Sequence, residues 1–271
     1  MNDKMTGYKI FKNLLSFIYK IWYNPKVIGK ENIPNKERVI IVGNHVHLMD
    51  QCNVIIATKR NIHYLAKKEY FDNKKVAWFF KASGCIPVDR SKKDESATDQ
   101  ALEVLKNNHA LGIFPEGTRN ILREEQLKKL YDKYISDISY HKFKKKMKKA
   151  KKTHIDYLEK LVKDKKITKL DFINNIYRSN KYLLELINNK TIKEKDYYNH
   201  FLLPLKFGAV SLSKKTDSLI IPYAITGDYK FRSKDLTIRI GKGFKAGDDL
   251  EKANQKLKEE IEKLIKESLK V

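Results

Sequence analysis

Residues 38–50, RVIIVGNHVHLMD, decide the fold. The first half, Arg38 to Gly43, is a short apolar run rich in β-branched residues, which reads as a buried strand. It breaks at once into Asn44-His45-Val46-His47-Leu48-Met49-Asp50, and Asp50 leads into an apolar helix candidate, Gln51 to Thr58. Outward from this stretch the same alternation repeats. His63 to Ala66 reads as a second strand and Glu69 to Ala82 as a helix, followed by Gly84-Cys85-Ile86-Pro87-Val88-Asp89-Arg90. Ala97 to Asn107 is amphipathic, and Ala110 to Phe114 is another buried strand, ending in Pro115-Glu116-Gly117-Thr118-Arg119-Asn120. Leu219 to Ile225 and Leu236 to Gly241 read as later strands, and Asp248 to Leu269 as a charged amphipathic helix. Short apolar strands alternating with helices predict an α/β fold, a largely parallel or mixed sheet wrapped by helices. In such sheets ligand groups gather on loops at strand ends, and all three polar clusters follow a short apolar run.

Two segments stand apart. Tyr8 to Tyr23 places Ile10, Leu14, Phe17, Ile18 and Ile21 at helical spacing, with Lys12 and Lys20 interrupting the run. That pattern suits either a helix in a lipid interface or an ordinary helix packed on the domain. No stretch reaches the ~20 apolar residues a bilayer span needs, and no small-residue cleavage site follows this one, so it is not read as a secretory signal. Residues 123–200 carry 22 basic and 11 acidic residues, a net of +11, with no glycine or proline. Tyrosine, leucine and isoleucine recur there, which predicts helices rather than disorder. The expected organisation is an N-terminal interfacial helix at 1–24, one domain built from 25–122 and 201–271, and a lysine-rich helical insert at 123–200.

Lysine and arginine outnumber the acids 57 to 33 in 271 residues, a formal net charge of +24. Such a field attracts nucleic acid, an anionic lipid surface, a phosphorylated substrate or an acidic carrier protein. Cys52 and Cys85 are too few for a disulfide framework, so a reducing compartment is expected.

The clusters narrow the chemistry. An imidazole takes a proton from an alcohol near neutral pH, and an aspartate on its other nitrogen fixes the tautomer. His45 and Asp50 have the spacing for this across a strand-to-helix turn, although a histidine beside a strand also serves plain structural roles. His45, His47 and Asp50 also resemble the start of a metallohydrolase site, but no second ligand-like cluster follows. In Pro115-Glu116-Gly117-Thr118-Arg119, Gly117 permits a tight turn and Arg119 can grip a phosphate, while a simple β-turn explains Pro-Glu-Gly as well. Arg90 supplies another arginine after a strand. There is no Gly-x-Ser-x-Gly elbow, P-loop or dinucleotide fingerprint. A nucleic-acid-binding reading stands lower, because the lysines lack interleaved recognition motifs.

Together the clusters resemble the 1-acylglycerol-3-phosphate and glycerol-3-phosphate acyltransferase family. Its four blocks can be read in order: Asn44-His45 to Asp50; Gly84 to Arg90, preceded by Ala66-Lys67-Lys68-Glu69; Phe114 to Arg119; and Ile220-Ile221-Pro222-Tyr223-Ala224-Ile225. Leu203 to Ala209 resembles the family's proline-x-lysine-x-glycine-alanine stretch. The resemblance implies a glycerolphosphate acyltransferase-like fold, with His45 as general base and Asp50 as its orienting partner. It places Glu116, Gly117, Thr118 and Arg119, with Arg90, at the acceptor phosphate. Lys67 would add positive charge there, and Pro222 would shape the acyl-donor side. It implies acyl-CoA or acyl-carrier protein as donor substrate, lysophosphatidic acid as acceptor with glycerol 3-phosphate or another lyso-lipid as the alternative, an anionic membrane surface as partner and a peripheral place on its cytoplasmic face. Neither a metal nor a separate cofactor is expected. Departures are His47 and Asn120 where serine is common, Leu219 in place of an earlier proline, and the insert.

Overall fold

The computed structural model describes residues 6–91 and 94–269, with side chains from residue 12 onward. Seven strands form one sheet: β1 (Lys26–Ile28), β2 (Val39–Gly43), β3 (Ile62–Lys67), β4 (Ile86–Val88), β5 (Ala110–Ile113), β6 (Leu219–Thr226) and β7 (Thr237–Ile240), in the order β1-β7-β6-β2-β5-β3-β4. The five strands from β6 to β4 are mutually parallel, whereas β7 runs antiparallel to β6 and carries β1 alongside it. The sheet is thus mixed and mostly parallel. β2 lies between β5 and β6, and every one of its residues is buried, which explains a continuous apolar run without alternation. Gly43 closes the strand because Tyr223 lies across it: a Cβ there would sit 2.4 Å from the tyrosine ring.

Helices follow the strands. In the first unit of the chain, which runs up to Gly117 and resumes at Leu205, these are α1 (Thr6–Tyr23), α2 (Asp50–Ala57), α3 (Glu69–Asp72), α4 (Lys74–Ala82) and α5 (Glu95–Lys106). The single helix expected at 69–82 is split. Asn73 leaves helical geometry, and its side chain accepts the Lys75 N–H to start α4 afresh. α5 lies on β4 and β5, and α1 packs on α2 and α4.

Residues 118–204 form a second unit with a core of its own. It holds α6 (Glu124–Tyr134), α7 (Tyr140–Met147), α8 (Lys152–Lys163), α9 (Lys169–Asn175), α10 (Ser179–Asn188) and α11 (Glu194–Asn199). Phe143, Leu158, Phe172, Ile176, Leu183 and Tyr197 are fully buried inside it. Capping supports the short helices: Ser139 accepts the Lys142 N–H, and Thr168 and Asp171 cap each other. This unit starts five residues before and ends four residues after the span 123–200 expected from charge alone. Asn120 explains both edges. Fully buried, it donates to Thr153 Oγ1 (2.9 Å) and the Phe201 carbonyl (3.0 Å) and accepts from the Thr153 N–H, drawing both flanks into the helical core.

The first unit then completes itself with α12 (Gly208–Thr216), β6, β7 and α13 (Leu250–Leu269), the last lying on β6 and β7. The Lys206 N–H donates to the Pro115 carbonyl at 2.9 Å. The first unit is therefore left and rejoined at one point, so an 87-residue excursion (118–204) leaves its sheet undisturbed.

On α1, Lys12, Ser16, Tyr19 and Tyr23 face the protein, and Tyr19 is buried. Leu14, Phe17, Ile18, Ile21 and Trp22 face outward, each at least half exposed. Ile10, counted on the same apolar face, lies outside the described side chains. Among the described residues no helix is long and apolar enough to cross a membrane.

Candidate active site

Because β2 to β6 run parallel, their C-terminal ends open on one edge of the sheet. β2 delivers Asn44 and His45, β5 delivers Phe114 to Gly117, β3 and β4 deliver Lys67 and Arg90, and β6 leads to Tyr229. Asn44 makes the turn possible. Its buried side chain donates to the Ile225 carbonyl (2.9 Å) and accepts the Ile225 N–H (2.7 Å). A side chain thus continues the β2–β6 ladder while the backbone bends away at His45.

His45 Nδ1 lies 2.8 Å from Asp50 Oδ2. The same oxygen accepts the N–H groups of Val46 (2.6 Å) and His47 (2.8 Å), and Oδ1 accepts the Tyr229 hydroxyl (2.5 Å). Asp50 is completely buried at the first turn of α2, and these four donors replace the water it has given up. A carboxylate only accepts, so Nδ1 carries the imidazole proton and Nε2 presents a lone pair. Nε2 has no hydrogen-bond partner among the described residues. The ring is stacked on Phe114, 3.9 Å between centroids, and the His45 N–H donates to Glu116 Oε1 at 2.7 Å. Backbone, face and edge of the histidine are all fixed, which is what a base needs to meet a substrate proton in one orientation.

Gly117 has a φ of +68°, and its N–H closes a turn onto the Phe114 carbonyl. A Cβ there would lie 2.8 Å from Lys206 Cε. Arg90 Nη1 donates to the Gly117 carbonyl at 2.7 Å, so a guanidinium and a lysine ammonium flank this turn. Lys67, at the end of β3, is paired with Glu69 at 2.5 Å. Pro222 is buried within β6 opposite Val42, and its carbonyl accepts the Gly241 N–H just past the end of β7. Thr118 and Arg119 follow Gly117 directly and open the second unit, where Thr118 Oγ1 accepts from Arg123 at 3.4 Å.

His47 lies beside the His45–Asp50 pair. Its ring stacks on Tyr229 at 4.0 Å and its Nδ1 accepts the Met49 N–H at 3.3 Å. Among the described residues no three His, Cys, Asp or Glu side chains gather as a metal-binding group.

Tyr229 and Asn53 went unread in the sequence. Asn53 is three residues beyond Asp50, hence on the same face of α2, and donates to the Tyr229 hydroxyl at 2.7 Å. Tyr229 sits 179 positions from Asp50 with no motif around it; only the rule that every loop at this edge is a candidate points to it. Burial, and secondarily the Asp50 charge, holds the Tyr229 hydroxyl well above the usual tyrosine range, so it keeps the proton it donates.

The sequence profile of the family described as Acyltransferase matches residues 24–226. The chain is similar to the 1-acyl-sn-glycerol-3-phosphate acyltransferase of Bacillus subtilis, 35% identical over 113 residues, 41% of this chain and 57% of that protein. It is similar to the enzyme of the same name from Borreliella burgdorferi, 38% identical over 96 residues (35% of this chain, 38% of that protein). The Saccharomyces cerevisiae enzyme of that name is 35% identical over 102 residues, 36% and 33% of the two chains. The matched part thus spans between a third and somewhat over half of these relatives. The crystal structure of the 1-acyl-sn-glycerophosphate (LPA) acyltransferase PlsC from Thermotoga maritima shares the fold, with a TM-score of 0.56 at 17% identity, covering 98% of this chain and 83% of that one.

Proposed function

From the acyltransferase family, to which the chain belongs, we propose that it moves a fatty acyl group from acyl-CoA or acyl-carrier protein to the free hydroxyl of 1-acyl-glycerol 3-phosphate, giving phosphatidic acid. The observation that carries this reading is the 2.8 Å bond between His45 Nδ1 and a fully buried Asp50, which leaves Nε2 free.

Nε2 takes the proton of the acceptor hydroxyl as its oxygen attacks the thioester carbonyl. The imidazolium that forms is stabilised by the Asp50 carboxylate. The tetrahedral adduct then collapses: the new C–O bond stays, the C–S bond breaks, and the proton on Nε2 passes to the departing thiolate. No acyl-enzyme is needed, in keeping with a sequence that lacks a serine elbow. The acceptor phosphate is held by Arg90 beside the Gly117 turn and, on the sequence resemblance, by Thr118 and Arg119; Lys67 and Lys206 add positive charge. Both substrates are anionic and the acceptor resides in lipid. The net charge of +24 and the outward apolar face of α1 support a peripheral place on an anionic, cytoplasmic membrane surface.

The test is transfer of labelled acyl groups from both donors to a panel of glycerol 3-phosphate and lyso-lipids. Lysophosphatidic acid is expected as the preferred acceptor. His45→Ala should lose about 10³-fold or more in kcat, and Arg119→Ala should raise the acceptor KM. Undiminished transfer by His45→Ala would remove the assigned base.

A further inference from the structure

Asp50 is held from two sides, and the reaction above uses only one. Its Oδ2 is fixed by His45 and the two amides of the turn. A carboxylate anchored through one oxygen can still pivot about that oxygen. What sets its plane is the bond on Oδ1, and that comes from Tyr229 at 2.5 Å. Tyr229 is itself restrained on several sides. Asn53 Nδ2 donates to its hydroxyl at 2.7 Å, which orients the O–H toward Asp50. His47 stacks on one face of the ring, and Tyr23 meets it edge-on at 5.5 Å. The carboxylate has no exposure, so no water takes the place of a lost donor on Oδ1 without local rearrangement.

We propose that Tyr229 is a positioning residue for acyl transfer, fixing the plane of the Asp50 carboxylate and through it the direction of His45 Nε2. The inference rests on the reaction assigned above. It also gives His47 a role, since the imidazole that replaces the family's common serine is a wall against which the Tyr229 ring is held. Tyr229→Phe keeps the ring and its stacking and removes only the hydroxyl. The loss of this bond should lower kcat about tenfold, leave both KM values within about twofold, and lower the melting temperature by a few degrees, because Asp50 Oδ1 and Asn53 Nδ2 each lose a buried partner. A readout independent of turnover is the downfield proton resonance of His45 Nδ1–H, which should move in Tyr229→Phe and vanish in Asp50→Asn.

A kcat within about twofold of the parent, a fall in kcat matched by a rise in KM, or an unmoved imidazole resonance overturns the positioning role. Parent protein and His45→Ala run alongside. A parent without transfer removes the reaction, and the resonance then decides the Tyr229–Asp50–His45 link by itself. An active parent with an indifferent Tyr229→Phe removes this inference alone.

Discussion

At the scale of single residues, three buried polar side chains of the candidate site, those of Asn44, Asp50 and Glu116, each hold a named partner. Glu116 is the sharpest case. The family resemblance implies a place for it at the acceptor phosphate; in the structure one of its oxygens accepts the His45 N–H at 2.7 Å and the residue is 4% exposed. Glu116→Gln retains a carbonyl oxygen for that bond and should keep most stability. Glu116→Ala takes the acceptor from the partly buried His45 N–H and should cost about 1 kcal/mol in denaturant unfolding. His45, Asp50 and Gly117 were legible because strand, turn and helix signals converge on them within a dozen residues. Tyr229 was not, because its meaning depends on which strand edge its loop reaches, and that is a property of the sheet order rather than of neighbouring residues.

At the scale of elements, apolar runs and their punctuation located β2, β3, β5 and β6 to within a residue or two. Strands of three residues, β1 and β4, carry too little pattern to be read with the same sharpness. The helical insert was legible from tyrosine and leucine among the lysines, but its edges were not, since Asn120 and Phe201 bind it through buried contacts that charge does not reveal. One histidine in it makes the stability of this unit depend on pH. His154 on α8 is 1% exposed, both ring nitrogens lack a hydrogen-bond partner among the described residues, and burial, with Lys151 and His200 adding to it, holds its pKa well below 6.5. The folded unit therefore keeps it neutral while the unfolded chain protonates it near pH 6.5, so the unfolded state binds more protons below that pH. Stability of this unit should fall as pH drops from about 6.5, by up to about 1.4 kcal/mol per pH unit. Thermal melts of His154→Leu should show a shallower acid dependence than the parent; parallel slopes would contradict this.

At the scale of the whole molecule, charge and apolar surface make a joint prediction. Co-sedimentation with anionic vesicles should weaken as salt is raised, because long-range attraction to a +24 chain is screened. Replacing Phe17 and Trp22 with glutamate, on the outward face of α1, should cut binding at least about tenfold at low salt. A double variant that binds as tightly as the parent would contradict the lipid-facing role of that helix. The sheet order has a consequence of a different kind, one that concerns synthesis. β2 pairs with β6, and Asp50 receives its last donor from a residue 179 positions later. At ribosomal rates of about 5–20 residues per second, that donor emerges roughly 10–35 s after the carboxylate. Until then the nascent chain carries a half-built sheet whose central strand has one bare side, and the helical excursion of 118–204 supplies about 4–17 s of the time in which it is exposed to misassociation and to chaperones.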